Sequence, residues 1–148
     1  MSDPQRFFET YIRTSPEKLW QALVQADFTR RYFFGCDVES TWVVGASVRY
    51  SSEGFPAAEG EVLEIDAPRK LVMSWRSLWS EELAADPPSR VSWEIEAQGE
   101  ICKLTLIHDE FGGETATYHE TEGWALILAG LKTLVETGQP LPNPELSS

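Results

Sequence analysis

The sequence has little positive charge. Twelve Lys and Arg residues stand against 24 Asp and Glu residues, giving a formal net charge of −12. Nucleic acids and anionic membranes bind clustered Lys and Arg, whereas the chain has no basic run longer than pairs such as Arg30-Arg31. We therefore expect no nucleic-acid partner and no insertion into a membrane. An acidic surface of this kind ordinarily keeps a protein soluble.

Cysteine is also scarce. The two cysteines, Cys36 and Cys102, belong to no CxxC motif and to no cluster with metal-ligand spacing. Cys102 lies in a strand pattern, which predicts a buried free thiol. No apolar run approaches the ~20 residues of a membrane span, and the polar start at residues 1–4 does not resemble a signal peptide. We expect a cytoplasmic, reducing location.

Aromatic residues, in contrast, are abundant. The chain holds six Trp, seven Phe and four Tyr, and 42% of its 148 residues are hydrophobic. A chain of this length ordinarily folds as one domain around one core. We expect a single domain over residues 1–148, with a core at about 6–138 and a loose tail at 139–148. Many buried rings can border a cavity that smaller side chains would fill.

The first 35 residues predict one strand and two short helices. Residues 7–13 alternate as a strand, with Phe8, Thr10 and Ile12 on one face. Ser15 can cap a helix in which Pro16 takes the first position. The apolar residues at helical spacing that follow are Leu19, Trp20, Leu23 and Val24. A second helix is expected at 28–34, with Asp27 as its cap.

From residue 36 onward the apolar period becomes that of β-strands. Strands are predicted at 38–43, 46–51, 60–65, 71–76, 91–97 and 102–108. The stretch 77–88 contains Pro87-Pro88 and several acids, which predicts a loop or a short irregular helix. His108 has the strand parity of Leu104 and Leu106, so its ring is expected on the same face as theirs.

Residues 117–137 show the strongest helical pattern, which ends at Gly138. Its apolar residues are Trp124, Ile127, Leu128, Leu131, Leu134 and Val135. A helix of roughly 30 Å with one apolar stripe needs a large surface to cover, and only the sheet offers one. The predicted fold is α+β: a curved antiparallel sheet, a long C-terminal helix across it, and two short helices after the first strand.

Three segments, 15–23, 60–75 and 123–138, resemble the START-like (SRPBCC) superfamily. They are most similar to its branch related to the C-terminal domain of the activator of the heat-shock protein 90 ATPase, in the form of stand-alone bacterial proteins. The resemblance implies a helix-grip fold, in which the curved sheet wraps around the C-terminal helix and leaves a cavity. Relatives in the superfamily bind lipids, hormones, polyketides or a chaperone.

The resemblance implies binding of a hydrophobic or aromatic, lipid-like small molecule in that cavity. The candidate lining residues are Phe33, Phe34, Met73, Trp75, Trp79, Trp93, Leu106, His108, Tyr118, Trp124, Leu128 and Leu131. The alternative is that these rings only fill the core, and for Trp93 and Trp124 we favour this structural role. His108 could orient a ligand or transfer protons, but we favour a structural role at the strand end.

Two other functions stay open. One is a protein-interaction module resembling the co-chaperone, with a chaperone or a second copy of the chain as partner. The other is a cyclase-like or hydrolase-like enzyme that uses acids of the cavity and His108. Binding is preferred over catalysis, and no catalytic residue or cofactor is assigned. His119 and Glu122 share a helix face, but zinc needs a third ligand that the sequence does not supply, so no metal is assigned either.

Overall fold

The computed structural model describes residues 5–78, 81–85, 87–109 and 120–141. Within these residues, four helices accompany a seven-stranded antiparallel sheet. The strand order is β1-β7-β6-β5-β4-β3-β2. The strands are β1 Gln5–Ile12, β2 Asp37–Glu39, β3 Ser47–Ser52, β4 Phe55–Asp66, β5 Lys70–Ser77, β6 Ser89–Gln98 and β7 Ile101–Asp109. The helices are α1 Pro16–Val24, α2 Ala26–Tyr32, α3 Glu81–Ala84 and α4 Glu120–Thr137. The helix-grip α+β fold expected from the sequence is confirmed.

Helix α1 begins as the sequence predicts. The Ser15 side-chain oxygen accepts a hydrogen bond from the Lys18 amide at 3.3 Å, and Pro16 is the first helical residue. The predicted cap of α2 is wrong, because Gln25 takes that position without a side-chain hydrogen bond and Asp27 lies within the first turn. Gln25 is extended and separates the two helices by a single residue, which leaves no room for a cap at position 27.

Removing the α1 cap gives a first test of this local structure. Ser15→Ala is expected to lower the free energy of unfolding by about 1 kcal/mol, because the Lys18 amide loses its acceptor. Ser47→Ala, at an exposed position of β3, is the control and should change stability by less than about 0.5 kcal/mol. Urea unfolding measures both variants, and equal losses would contradict the role of Ser15.

The second strand is shorter than the pattern predicts. It ends at Glu39, because the Ser40 hydroxyl accepts a hydrogen bond from the Trp42 amide at 3.0 Å and turns the chain. Trp42 itself takes a positive φ of 59°, which ends the pairing of the predicted strand 38–43. The fourth strand is longer than predicted and begins at Phe55 instead of residue 60.

The sheet curves around β4. Its pairing register shifts between Tyr50 and Ser51 on the β3 side and between Val62 and Glu64 on the β5 side, and such irregularities bend a strand. Gly60 permits the closest approach: a Cβ at this position would lie 1.8 Å from the Ser74 carbonyl oxygen. Only glycine therefore allows β4 and β5 to lie this close together.

Helix α4 crosses the concave face of the sheet. Its 18 residues give a length of about 27 Å. The buried side of α4 consists of Trp124, Ile127, Leu128, Leu131 and Leu134. The helix ends where predicted, since Gly138 has a φ of 79° and donates its amide to the Leu134 carbonyl at 2.8 Å. The expected helical residues 117–119 lie outside the described part of the chain, as do residues 142–148 of the expected loose tail.

None of the described helices combines the length and the apolar content that crossing a lipid bilayer requires.

Candidate functional site

Five aromatic side chains meet where α4 lies over the strands, and we call them the aromatic cluster: Phe33, Tyr50, Trp75, Trp93 and Trp124. Each comes from a different element or connection: the end of α2, β3, β5, β6 and α4. All five are at least 95% buried, with exposed fractions of 3–5%. Strand alternation places the three strand residues on the concave face, and the apolar stripe of α4 brings Trp124 down onto them.

The rings of the cluster lie in direct contact. The Phe33 and Tyr50 rings stack with centroids 4.7 Å apart, and the Trp75 ring lies 5.2 Å from that of Tyr50. Trp124 is the ring from the helix, and its centroid is 5.3 Å from that of Trp75 and 6.2 Å from that of Trp93. At these spacings the described rings fill the space between one another, so the expected open cavity is not seen within the cluster.

His108 holds the cluster to the sheet through hydrogen bonds. The Trp124 indole nitrogen donates to His108 Nδ1 at 3.2 Å. An indole N–H can only donate, so Nδ1 carries no proton and the neutral ring must carry its proton on Nε2. His108 Nε2 lies 2.7 Å from the Ser89 hydroxyl oxygen, which in turn donates to the Trp75 carbonyl at 3.1 Å. The chain of donors therefore runs from α4 through β7 and β6 to β5.

The His108 ring is neutral at physiological pH. Burial lowers the pKa of His108 from 6.5 to about 4, because the charged form would lose its hydration. The positive charge of Arg6, which faces His108 across the β1–β7 pair, lowers the pKa further, and Asp109 partly opposes this. A neutral ring with hydrogen bonds at both nitrogens is suited to positioning Trp124. It is less suited to passing protons, since its proton is already committed to Ser89.

Most of the residues predicted to line the site lie together. Nine of them are buried between sheet and helix: Phe33, Met73, Trp75, Trp93, Leu106, His108, Trp124, Leu128 and Leu131. Phe34 does not join them. It takes a φ of 52° just before Gly35, and this turn leaves its side chain 42% exposed while Phe33 enters the core.

Trp79, Tyr118 and His119 lie outside what the structure describes, and so does the side chain of Glu122, the predicted neighbour of His119. Among the residues that it does describe, no three His, Cys, Asp or Glu side chains come close enough together to hold a metal ion.

Two residues of the site were missed by the sequence analysis. Tyr50 lies on the concave face with Val48, and the alternation of β3 could have indicated this. Ser89 is the first residue of β6, two positions before the predicted strand 91–97, and nothing in the sequence marks it as a partner of His108. Burial raises the pKa of Tyr50, so its hydroxyl keeps its proton. Among the described residues, that hydroxyl makes no hydrogen bond, and it is not one of the fully enclosed polar atoms that lack a partner.

Both cysteine thiols are buried and free, as predicted for Cys102. Burial raises the pKa of Cys36 to about 11, with a smaller contribution from the charge of Asp37, and burial also raises the pKa of Cys102. The Cys102 thiol donates to the Thr14 carbonyl at 3.3 Å. Protonated, buried thiols are poor nucleophiles, so neither cysteine supports covalent catalysis.

An open groove of about 690 Å³ lies elsewhere, beside β2 and the loop that follows it. Its walls include Val24, Val38, Trp42 and Arg49, and no residue of the aromatic cluster lines it. The neighbouring Val43 and Val44 are 57% and 65% exposed. The groove is therefore a surface feature separate from the buried cluster.

The fold is shared with many solved structures. CalU16 from Micromonospora echinospora has 21% identity and a TM-score of 0.74, over 97% of this chain and 79% of that one. The Aha1 dimer from Colwellia psychrerythraea has 20% identity and a TM-score of 0.73, over 91% and 98%. An HSP90 activator from Plasmodium falciparum has 25% identity and a TM-score of 0.68, over 92% and 97%.

The sequence itself gives the family. A comparison with curated proteins finds no match. The family model described as "Activator of Hsp90 ATPase homolog 1-like protein" matches residues 13–136, from the start of the first connection to the last turn of α4. The match includes the segments 15–23 and 60–75 that resemble this family in sequence, and all but the last two residues of the segment 123–138. The chain therefore belongs to the family of Activator of Hsp90 ATPase homolog 1-like proteins, within the START-like superfamily.

Proposed function

We propose that this protein binds an apolar or aromatic small molecule at the aromatic cluster, between the sheet and the first turns of α4. The observation that carries the proposal is the aromatic cluster itself, in which five large buried rings from five different elements or connections meet where α4 lies over the sheet. Tyr50 adds a polar group to these rings: its ring lies against those of Phe33 and Trp75, and its hydroxyl makes no hydrogen bond to a described residue. A hydroxyl can both donate and accept, so it can bond to an oxygen or nitrogen of a ligand.

Two other polar groups of the cluster have partners within the protein. The Trp75 indole donates to the Ser77 hydroxyl at 3.2 Å, and the Trp124 indole donates to His108. A ligand of matching chemistry would thus be mostly apolar, with ring faces or alkyl groups against the cluster and one polar atom for Tyr50. Because the rings touch in the structure, binding requires Trp124 on α4 to move away from Trp75 on the sheet.

The ligand class can be tested with a matched pair of tyrosine variants. We expect a fatty acid, sterol or flavonoid-like aromatic to raise the melting temperature of the wild type. Tyr50→Phe should lower the affinity for that ligand by about 2- to 10-fold, which corresponds to the loss of one hydrogen bond. The same variant without ligand should be as stable as the wild type or more stable, because no described group loses a partner. The measurements are thermal shift and isothermal titration calorimetry.

Tyr32→Phe is the control for the same experiment. Its hydroxyl donates to the Ala22 carbonyl at 2.6 Å, so its removal should destabilise the protein by about 1 kcal/mol and leave ligand affinity unchanged. The proposal fails if no apolar class shifts the melting temperature. It also fails if Tyr50→Phe binds the best ligand as tightly as the wild type.

A second candidate function is an interaction with heat-shock protein 90. It is supported by the family description and by the Plasmodium falciparum relative, an HSP90 activator. Stimulation of a purified heat-shock protein 90 ATPase by this protein is the direct test, and unchanged ATPase rates at saturating protein would count against it. A cyclase-like or hydrolase-like activity has less support, because both His108 nitrogens are engaged in hydrogen bonds.

A further inference from the structure

Strand β1 is an outer edge of the sheet, and its backbone has an inner and an outer side. Even-numbered and odd-numbered residues of an antiparallel edge strand point their N–H and C=O groups to opposite sides. The Tyr11 carbonyl accepts a hydrogen bond from the Lys132 side chain of α4, and the Arg13 amide donates to Glu136 of the same helix. Since these groups cannot also face β7, the odd-numbered residues of β1 present their backbone to the outer side.

The C-terminal end of this edge is covered by α4. The Lys132 Nζ lies 2.6 Å from the Tyr11 carbonyl and 2.8 Å from the Glu136 carboxylate, which in turn accepts from the Arg13 amide at 2.8 Å. The N-terminal half is different. The outer backbone groups of Gln5, Phe7 and Glu9 pair with no strand in the described part of the chain.

This open half carries a large apolar side chain. Phe7 is 54% exposed, and Tyr11, on the same face at the end of β1 that α4 covers, is 46% exposed. Natural edge strands usually avoid this combination of free backbone groups and exposed rings, because it promotes pairing with another strand. Phe55 is more exposed, at 76%, but it lies at a hairpin, where β4 begins and is already paired with β3.

We infer that the open half of β1 pairs antiparallel with the same segment of a second copy of this chain. A two-fold axis at Phe7 sets Phe7 opposite Phe7 of the second copy and Gln5 opposite Glu9. These three facing pairs would exchange about six backbone hydrogen bonds. Facing rings stabilise such a pair, and no like charges stand opposite each other. A register shifted by two residues would need the Tyr11 carbonyl, which Lys132 already occupies.

The net charge of −12 on each copy opposes association, whereas the charges near β1 are mixed. Lys103 lies 3.9 Å from Glu9 and 3.3 Å from Glu96, and it partly neutralises the acids around the edge. The dimer is therefore expected to be weak at low ionic strength and to strengthen as added salt screens the long-range repulsion.

Sedimentation velocity from micromolar to high-micromolar concentrations tests the interface. The wild type should form a dimer, and Phe7→Lys should be monomeric because two lysines would face each other. Phe55→Lys makes the same change of charge at another exposed Phe and should dimerise like the wild type. A wild type that stays monomeric throughout, or a Phe7→Lys variant that dimerises normally, overturns the inference.

Cross-linking tests the register independently of affinity. Residues that face each other as a hydrogen-bonded pair have Cα atoms about 5.5 Å apart, which a disulfide can span. Phe7→Cys should therefore give a covalent dimer under mild oxidation, while Phe55→Cys should not. Equal cross-linking of both variants, or none at position 7, contradicts the proposed pairing. Both positions are exposed, and circular dichroism confirms that the variants fold.

Discussion

Trp124→Ala is expected to lower the free energy of unfolding by about 3–5 kcal/mol. Trp124 is 97% buried, at 3% exposure, and its ring contacts those of Phe33, Trp75 and Trp93. The variant would leave a cavity beneath α4 and would remove the donor to His108 Nδ1. Urea unfolding followed by far-ultraviolet circular dichroism measures the loss.

Two further variants separate the ring from its hydrogen bond. Trp124→Phe keeps a ring in the cluster but removes the indole N–H, so it should lose about 1–3 kcal/mol, less than the alanine variant. Trp20→Ala is the control for the loss of a tryptophan. Because Trp20 is only partly buried on α1, this variant should lose less free energy of unfolding than Trp124→Ala. A loss of under about 1 kcal/mol for Trp124→Ala would contradict the central place of this residue.

Stability should fall by about 3 kcal/mol as the pH decreases from 6.5 to 4, through His108 alone. In the unfolded chain His108 takes up a proton near its ordinary pKa of 6.5, whereas in the folded protein its pKa is lowered to about 4. Between these values the unfolded state binds more protons and is favoured by acid. The full contribution is present above pH 6.5 and is lost below pH 4.

His108→Gln isolates this effect, because an amide can donate to Ser89 and accept from Trp124 without titrating in this range. Carboxylates and the second histidine of the chain titrate in both proteins, so the difference between their pH profiles reports His108. Among the described residues, Ser89 and Trp124 form hydrogen bonds with the ring, and Arg6 and Asp109 act on it through their charges. Parallel profiles for the two proteins would show that His108 is not buried as a neutral ring.

The elements that the sequence predicts well are those set by local chemistry. The cap at Ser15, the stop at Gly138 and the alternation that turns His108 inward all depend on residues within a few positions of one another. Signals of this local kind can be read from the sequence because they need no knowledge of the contacts between distant residues. The same holds for the apolar stripe of α4, which already indicates that the helix covers the sheet.

What the sequence could not predict depends on contacts between distant residues or on single backbone turns. The bond between His108 and Ser89 joins two strands, and no local pattern marks Ser89. Phe34 is the same residue type as Phe33 but points outward, because the positive φ of Phe34 reverses the direction of its side chain. The expected cavity was also inferred from the number of rings, whereas in the described residues those rings contact one another.

The most direct test of ligand binding at the aromatic cluster is a titration followed by ¹H–¹⁵N nuclear magnetic resonance of the six tryptophan indole N–H groups. The ligand is the apolar compound that gives the largest thermal shift. We predict that the indole signals of Trp75, Trp93 and Trp124 move together and saturably, while those of Trp20 and Trp42 stay in place. Unmoved cluster signals, or shifts confined to Trp42 beside the surface groove, would contradict binding beneath α4.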